Sequence, residues 1–214
     1  MTVDITLYGI VDPQIANGRS MADMARAAVE GGATLIQLRA KTETTREMVR
    51  EARAIRSALH GTNVPLLIND RVDVALASGA DGVHLGGGSR PEAIAAARAA
   101  LGERALIGVS AHAAHEVAQA ASAGADYATL SPIYATASKP GYGPALGLAG
   151  LAAACDRELP IVALGGLDAD RIGGCRAAGA AAVAIMGGLM RAREPAEAAQ
   201  AVLKAWSSAD RAPV

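Results

Sequence analysis

One short apolar run in this sequence ends in three polar side chains. In Gln37-Leu38-Arg39-Ala40-Lys41 the side chains at 37, 39 and 41 fall on one side of an extended chain. A carboxamide, a guanidinium and an ammonium converging there are costly to hold together without an anionic partner. Phosphate or diphosphate suits them, with Arg39 as a fork on its oxygens and Lys41 as a point charge. The bland alternative is a solvated strand end with Lys41 already on a loop. A second run, Pro65–Ile68, leads straight into Asn69-Asp70-Arg71. Asp70 there is either a ligand for a hard cation such as Mg2+, shared with substrate oxygens, or the N-cap of a following helix. Two glycine pairs, Gly165-Gly166 and Gly187-Gly188, each follow an apolar run. Glycine lets the backbone approach an anion, as barrel phosphate sites require. Residues 131–144 form a segment rich in hydroxyls, glycine and proline that carries Thr136, Ser138 and Lys139. It reads as a loop offering donors to an anion, or as an ordinary surface loop. His112, beside Ser110, is a candidate proton shuttle or a rim residue. His84 is a weaker candidate, and His60 and His115 read as solvated. No Ser-His-Asp arrangement or His-rich metal spacing is present.

The elements that position these residues follow from apolar runs alternating with longer amphipathic, Ala-rich segments. Strands are expected near 5–11, 34–38, 65–68, 81–85, 105–109, 126–130, 160–164 and 182–186. Helices are expected near 20–31, 44–60, 71–78, 91–101, 113–123, 147–155, 168–178 and 194–206. Alternating β and α with fully apolar strands points to an α/β fold with a parallel sheet covered by helices. Eight such units favour closure into a (β/α)8 TIM barrel. An open doubly wound sheet would use the same units without pairing the first strand to the eighth. Gly-Ala recurs before alternate strands, at Gly32-Ala33, Gly79-Ala80, Gly124-Ala125 and Gly179-Ala180. Glycine ends each helix there in a left-handed conformation, on the face that serves stability. The expectation is one domain spanning 1–214, with 207–214 a frayed tail.

Composition narrows the class. The chain has 214 residues, 51% hydrophobic and 19% charged, which excludes a disordered segment. Aromatic residues make up 2%, with no Phe, so Ala, Val, Ile, Leu and Met must fill the core. With 20 basic and 21 acidic residues the net charge is −1, and no basic run suggests nucleic acid. No signal peptide or membrane span is expected. Cys155 and Cys175 read as free thiols in a reducing cytoplasm. Association with further copies of the chain is left open.

The segments QLRAK (37–41), INDRVDVAL (68–76), GADGVHL (79–85), IGVSAH (107–112), SPIYATASKPG (131–141) and VALGGL (162–167) together resemble thiamin-phosphate synthase and its sister enzyme, thiazole tautomerase. The likeness runs in order through roughly residues 5–205. It implies a barrel that joins 4-amino-2-methyl-5-hydroxymethylpyrimidine diphosphate to thiazole phosphate with Mg2+, releasing pyrophosphate. The family's reaction loses pyrophosphate to give a pyrimidine-methyl cation, which the thiazole nitrogen captures. By position, Gln37, Arg39, Lys41, Asn69 and Asp70 would hold the pyrimidine diphosphate and metal. Ser110 and Lys139 would contact the pyrophosphate, Thr136 and Ser138 the thiazole phosphate, and Gly166 with the backbone at Gly187 would complete the phosphate site. The likeness departs after His84. Where synthases read His-Leu-Gly-Gln-(Glu/Asp)-Asp, this chain has His84-Leu-Gly-Gly-Gly-Ser89-Arg-Pro-Glu92. Ser89 thus stands where a second metal ligand is expected, with Glu92 a substitute only if the loop shifts, and Gly187 replaces a common Ser. These changes approach the tautomerase type, which uses a His at the position of His112 without metal. A silent paralogue that binds thiamin precursors is a third reading. The retained Arg39, Lys41, Asn69, Asp70 and lid residues place the synthase first.

Overall fold

The structure, a computed structural model, describes residues 3–88, 90–136, 144–155 and 159–209. In chain order its elements are β1 Leu7–Val11, α1 Met21–Glu30, β2 Leu35–Leu38, α2 Thr45–Ala58, β3 Leu66–Asn69, α3 Val72–Ser78, β4 Gly82–Leu85 and α4 Pro91–Leu101. They continue as β5 Leu106–Ala111, α5 Ala114–Ser122, β6 Tyr127–Leu130, α6 Gly147–Cys155, β7 Ile161–Leu164, α7 Ala169–Ala177, β8 Ala182–Ile185, α8 Gly187–Met190 and α9 Pro195–Ser208. Neighbouring strands pair in parallel around the ring. Leu7 of β1 lies opposite Val183 of β8, so the sheet is a closed barrel and not an open doubly wound one. Every expected strand and helix is present, with ends shifted by a residue or two. Two short elements were not expected, α8 and a 3-10 turn at Pro13–Ile15. Each follows a strand on the C-terminal face. The tail also differs, since α9 continues through Ser208 and residues 210–214 lie outside those described.

The strands read as continuous apolar runs because both of their faces are buried. Tyr8, Ile10, Leu35, Leu67, Tyr127, Val162, Ala182 and Ala184 point into the barrel. Alternate residues such as Leu7, Val11, Ile36, Leu38 and Ile68 meet the helices. Buried Ala25, Ala28, Ala52, Ala75, Ala97, Ala120 and Ala154 let the helices lie close to the sheet, so a core poor in aromatic residues packs without large side chains. The helical ring is completed by α9, which packs on α1 and α7. There Trp206 is buried beneath the Arg176 guanidinium, 5.2 Å from the ring centre.

The four Gly-Ala turns share one geometry. Gly32, Gly79, Gly124 and Gly179 have φ of 96°, 72°, 85° and 96°. Each following alanine N–H reaches back to a carbonyl in the last turn of its helix, Ala28, Ala75, Ala120 and Cys175 respectively. This is the Schellman closure, which satisfies otherwise orphaned carbonyls. The next residue then pins the adjacent strand. The Leu7 N–H donates to Thr34 Oγ1, Leu66 N–H to Asp81 Oδ2, and Ile107 N–H to Asp126 Oδ2. In the fourth turn the equivalent residue is Ala181, which has no side-chain acceptor to offer.

Candidate active site

The C-terminal ends of the strands surround a cavity of about 200 Å³. Gln37, Arg39 and Asn69, from the ends of β2 and β3, form a polar wall. Gly165, Gly166 and Leu167 after β7 and Gly187, Gly188 and Arg191 after β8 form another. In an eight-stranded ring β3 stands opposite β7, so the two walls face each other. Ile10, His84 and Ser110 lie between them, and Ser131, Pro132 and Thr136 close one side.

Gln37 is buried at 2% exposure and donates from Nε2 to Asn69 Oδ1 over 2.8 Å. The Arg39 guanidinium is paired with the Asp12 carboxylate, which is itself buried. Asp12 also accepts the Gln14 N–H at 2.9 Å, so one side chain both caps the 3-10 turn and steadies Arg39. Lys41 is exposed and does not line the cavity. Alternation from Gln37 carries as far as Arg39 and then fails, because β2 ends at Leu38 and pleating no longer fixes the chain beyond it.

Asp70 is not the helix cap. The N-cap of α3 is Arg71, which makes no side-chain cap bond. Asp70 adopts φ 62°, and its carboxylate accepts the Gly86 N–H at 2.5 Å and the Asn69 Nδ2–H at 2.6 Å. The left-handed region is sparsely used by residues other than glycine, though Asp tolerates it better than most. The conformation bridges the ends of β3 and β4 with an exposed carboxylate. Among the described residues no group of three or more His, Cys, Asp or Glu could hold a metal. An ion gripped by protein alone therefore does not fit these residues. A hard dication held by one carboxylate, water and phosphate oxygens does. Glu92 lies in the first turn of α4, and Ser89 lies outside the described residues.

Of the two histidines considered, His84 lines the cavity. Its Nδ1 is 3.0 Å from the Tyr127 hydroxyl and its Nε2 is 3.0 Å from Ser110 Oγ. His112 stands just past β5 and outside the lining, with Nδ1 2.6 Å from the Ser131 carbonyl and its own N–H donated to Glu116. Burial raises the Tyr8 and Tyr127 hydroxyls above the ordinary phenol range, so both remain protonated at neutral pH. Gly108 makes room for this pair, since a Cβ there would overlap the Tyr127 ring.

Thr136 lines the cavity, whereas Ser138 and Lys139 lie outside the described residues. Gly165 and Gly166 have φ of 100° and 65°. A Cβ on Gly166 would lie 2.6 Å from the Ala135 carbonyl oxygen, so close passage of the segment after β6 already demands glycine. A Cβ at Gly188 would meet nothing within 4 Å, and glycine there leaves space beside the cavity. Tyr8, Asp12, Tyr127, Ser131 and Arg191 escaped the sequence reading. Asp12 could have been found, as a carboxylate directly after the first strand. Tyr8 and Tyr127 carry a weaker signal, a polar-tipped ring in register with inward-facing residues.

Barrel, cavity position and polar lining together fit a (β/α)8-barrel enzyme, with the candidate active site at the C-terminal ends of the strands. The model of the thiamine monophosphate synthase family matches residues 7–189. The chain belongs to that family. It is 43% identical over 202 residues to thiamine-phosphate synthase of Agrobacterium fabrum, covering 92% of this chain and 91% of the relative. With the enzyme of the same name from Chloroflexus aurantiacus it shares 42% over 199 residues, again covering 92% and 91%. Thiamine phosphate pyrophosphorylase from Pyrococcus furiosus superposes with a TM-score of 0.84 at 31% identity, covering 95% of this chain and 96% of that one. A 3-hexulose-6-phosphate synthase, at 22% identity and a TM-score of 0.70, shares the fold.

Proposed function

We propose that this chain is a thiamine-phosphate synthase, joining hydroxymethylpyrimidine diphosphate to thiazole phosphate with release of pyrophosphate. The observation that carries the reading is the pairing of two unlike walls across one cavity. Arg39, Gln37 and Asn69 stand on one side, and the glycine pairs with Arg191 stand on the other. Two phosphorylated substrates need two anion-tolerant sides with their reacting atoms between them, and a cavity of about 200 Å³ holds those atoms close together.

In this reading Arg39, held by Asp12, takes the diphosphate, and Gln37 and Asn69 orient the pyrimidine. By motif position alone, Lys41, Ser110 and Lys139 are assigned to the diphosphate and Ser138 to the thiazole phosphate. Thr136, Gly165, Gly166, Gly187 and Gly188 bound the thiazole phosphate side. Asp70 would hold Mg2+ together with diphosphate oxygens, and the ion would neutralise the charge that builds on the leaving pyrophosphate. The protein's own share is orientation and shielding. Arg39 offers fixed positive charge where the leaving group departs, and the apolar Ile10, Leu164 and Ile185 limit water around the reacting carbon.

The test is product analysis with both substrates and Mg2+, with and without a chelator. Thiamine phosphate should form only with the metal. Asp70→Ala should lower turnover by roughly 10²-fold or more, the scale expected when charge stabilisation of a leaving group is lost. Full activity in that variant would sink the assignment of Asp70. Absence of product from the unaltered chain would sink the synthase itself.

A further inference from the structure

The carboxylate of Asp70 sets the direction of a chain of hydrogen bonds running beneath the cavity. A carboxylate only accepts, so the Asn69 group 2.6 Å from Asp70 Oδ2 is its NH2. Asn69 Oδ1 therefore faces Gln37, whose NH2 donates over 2.8 Å. Gln37 then presents Oε1 to the Tyr8 hydroxyl at 2.5 Å, and Tyr8 must donate. A phenol has one proton. The Tyr8 oxygen can meet the Tyr127 hydroxyl, 3.1 Å away, only as an acceptor. With the Tyr127 proton committed to Tyr8, the 3.0 Å contact between Tyr127 and His84 Nδ1 requires the proton to sit on Nδ1. A neutral imidazole protonated there accepts at Nε2, which faces Ser110 Oγ at 3.0 Å and Thr129 Oγ1 at 3.4 Å.

We infer that Tyr8 and Tyr127 are positioning residues that transmit the polarity set by Asp70 across the barrel, hold His84 as the neutral Nδ1–H tautomer, and turn the Ser110 proton inward. The Ser110 oxygen then meets the cavity with its lone pairs. It suits an N–H or O–H donor on the substrate, such as an aromatic amine, and the pyrophosphate contact that the family likeness implies for Ser110 would require this hydroxyl to turn away from Nε2. That last consequence rests on the cavity being the substrate site. The tautomer does not depend on it.

Nitrogen-15 NMR of the full-length, histidine-labelled protein at neutral pH tests the proposal, with the His84→Gln spectrum assigning the signals. The unaltered protein should show a protonated, pyrrole-type Nδ1 and a pyridine-type Nε2 at His84. Tyr8→Phe frees the Tyr127 hydroxyl to donate to Nδ1, so the ratio of the Nδ1–H to the Nε2–H form should fall by about fivefold, the bias of one neutral hydrogen bond. Gln37→Glu, carrying its proton toward Asn69 Oδ1 in this buried position, still presents an acceptor oxygen to Tyr8 and should leave the tautomer as it was. A dominant Nε2–H form or a doubly protonated His84 in the unaltered protein overturns the proposal. So does an unchanged ratio in Tyr8→Phe, or a reversed one in Gln37→Glu. If Tyr8→Phe fails to fold, the unaltered protein and Gln37→Glu still decide it.

Discussion

On the proposed function, Asp12 readies the Arg39 charge for an anion before any anion arrives. The Asp12 carboxylate is 1% exposed, and the Arg39 side chain keeps 17% of its surface open. The pair thus fixes a guanidinium at the cavity wall while leaving part of its fork accessible. Asp12→Asn retains an oxygen to accept the Gln14 N–H but removes the charge that steadies Arg39. The KM for the diphosphate substrate should rise about tenfold, matching roughly 1.5 kcal/mol for one charge-assisted bond, with a much smaller change in kcat. Steady-state kinetics would check this, and an unchanged KM would show that Arg39 needs no such support. Gln37, Arg39, Asn69 and Ser110 were legible in the sequence because polar residues at the ends of apolar runs have few places to point. His112 read more strongly than His84. Only the barrel register reveals that one ring enters the cavity while the other turns to the Ser131 carbonyl.

At the scale of elements, the Gly-Ala turns carry the regularity of the fold. Gly124 isolates the backbone contribution, since its φ is 85° and a Cβ there would touch nothing within 4 Å. Gly124→Ala should therefore destabilise by about 1–2 kcal/mol through left-handed backbone cost alone, leaving kcat unchanged. Urea denaturation would show it as a lower midpoint with the same slope. Strands and helices were readable because each unit repeats a burial pattern over enough residues to show its period. The four residues of α8 and the 3-10 turn are too short for any period. Both sit where chain geometry is set by the top of the barrel. The pinning of neighbouring strands by Thr34, Asp81 and Asp126 was likewise invisible, since it joins residues of different units.

For the whole molecule, closure could be expected from counting eight units, but the pairing of β1 with β8 is a three-dimensional fact. Closure buries groups that resist ionisation. Burial pushes the Cys155 and Cys175 thiols up to about 11, and raises the Tyr8 and Tyr127 hydroxyls. In the unfolded chain thiols ionise near ~8.5 and phenols near ~10. Above those values the unfolded chain has released protons that the folded chain keeps. Stability from these groups is therefore complete below about pH 8.5 and is lost as pH rises toward 11 and beyond. Thermal unfolding between pH 8 and 11 should show a falling midpoint, and a flat profile would contradict the burial of the four groups. The chain also carries its own means of following such a transition. Trp206 is the single tryptophan, buried beneath Arg176 on α9, the helix that packs against α1 and α7. Its fluorescence reports on one event, the seating of the final helix that seals the ring, so a single indole serves as a native optical gauge of whether the barrel is shut.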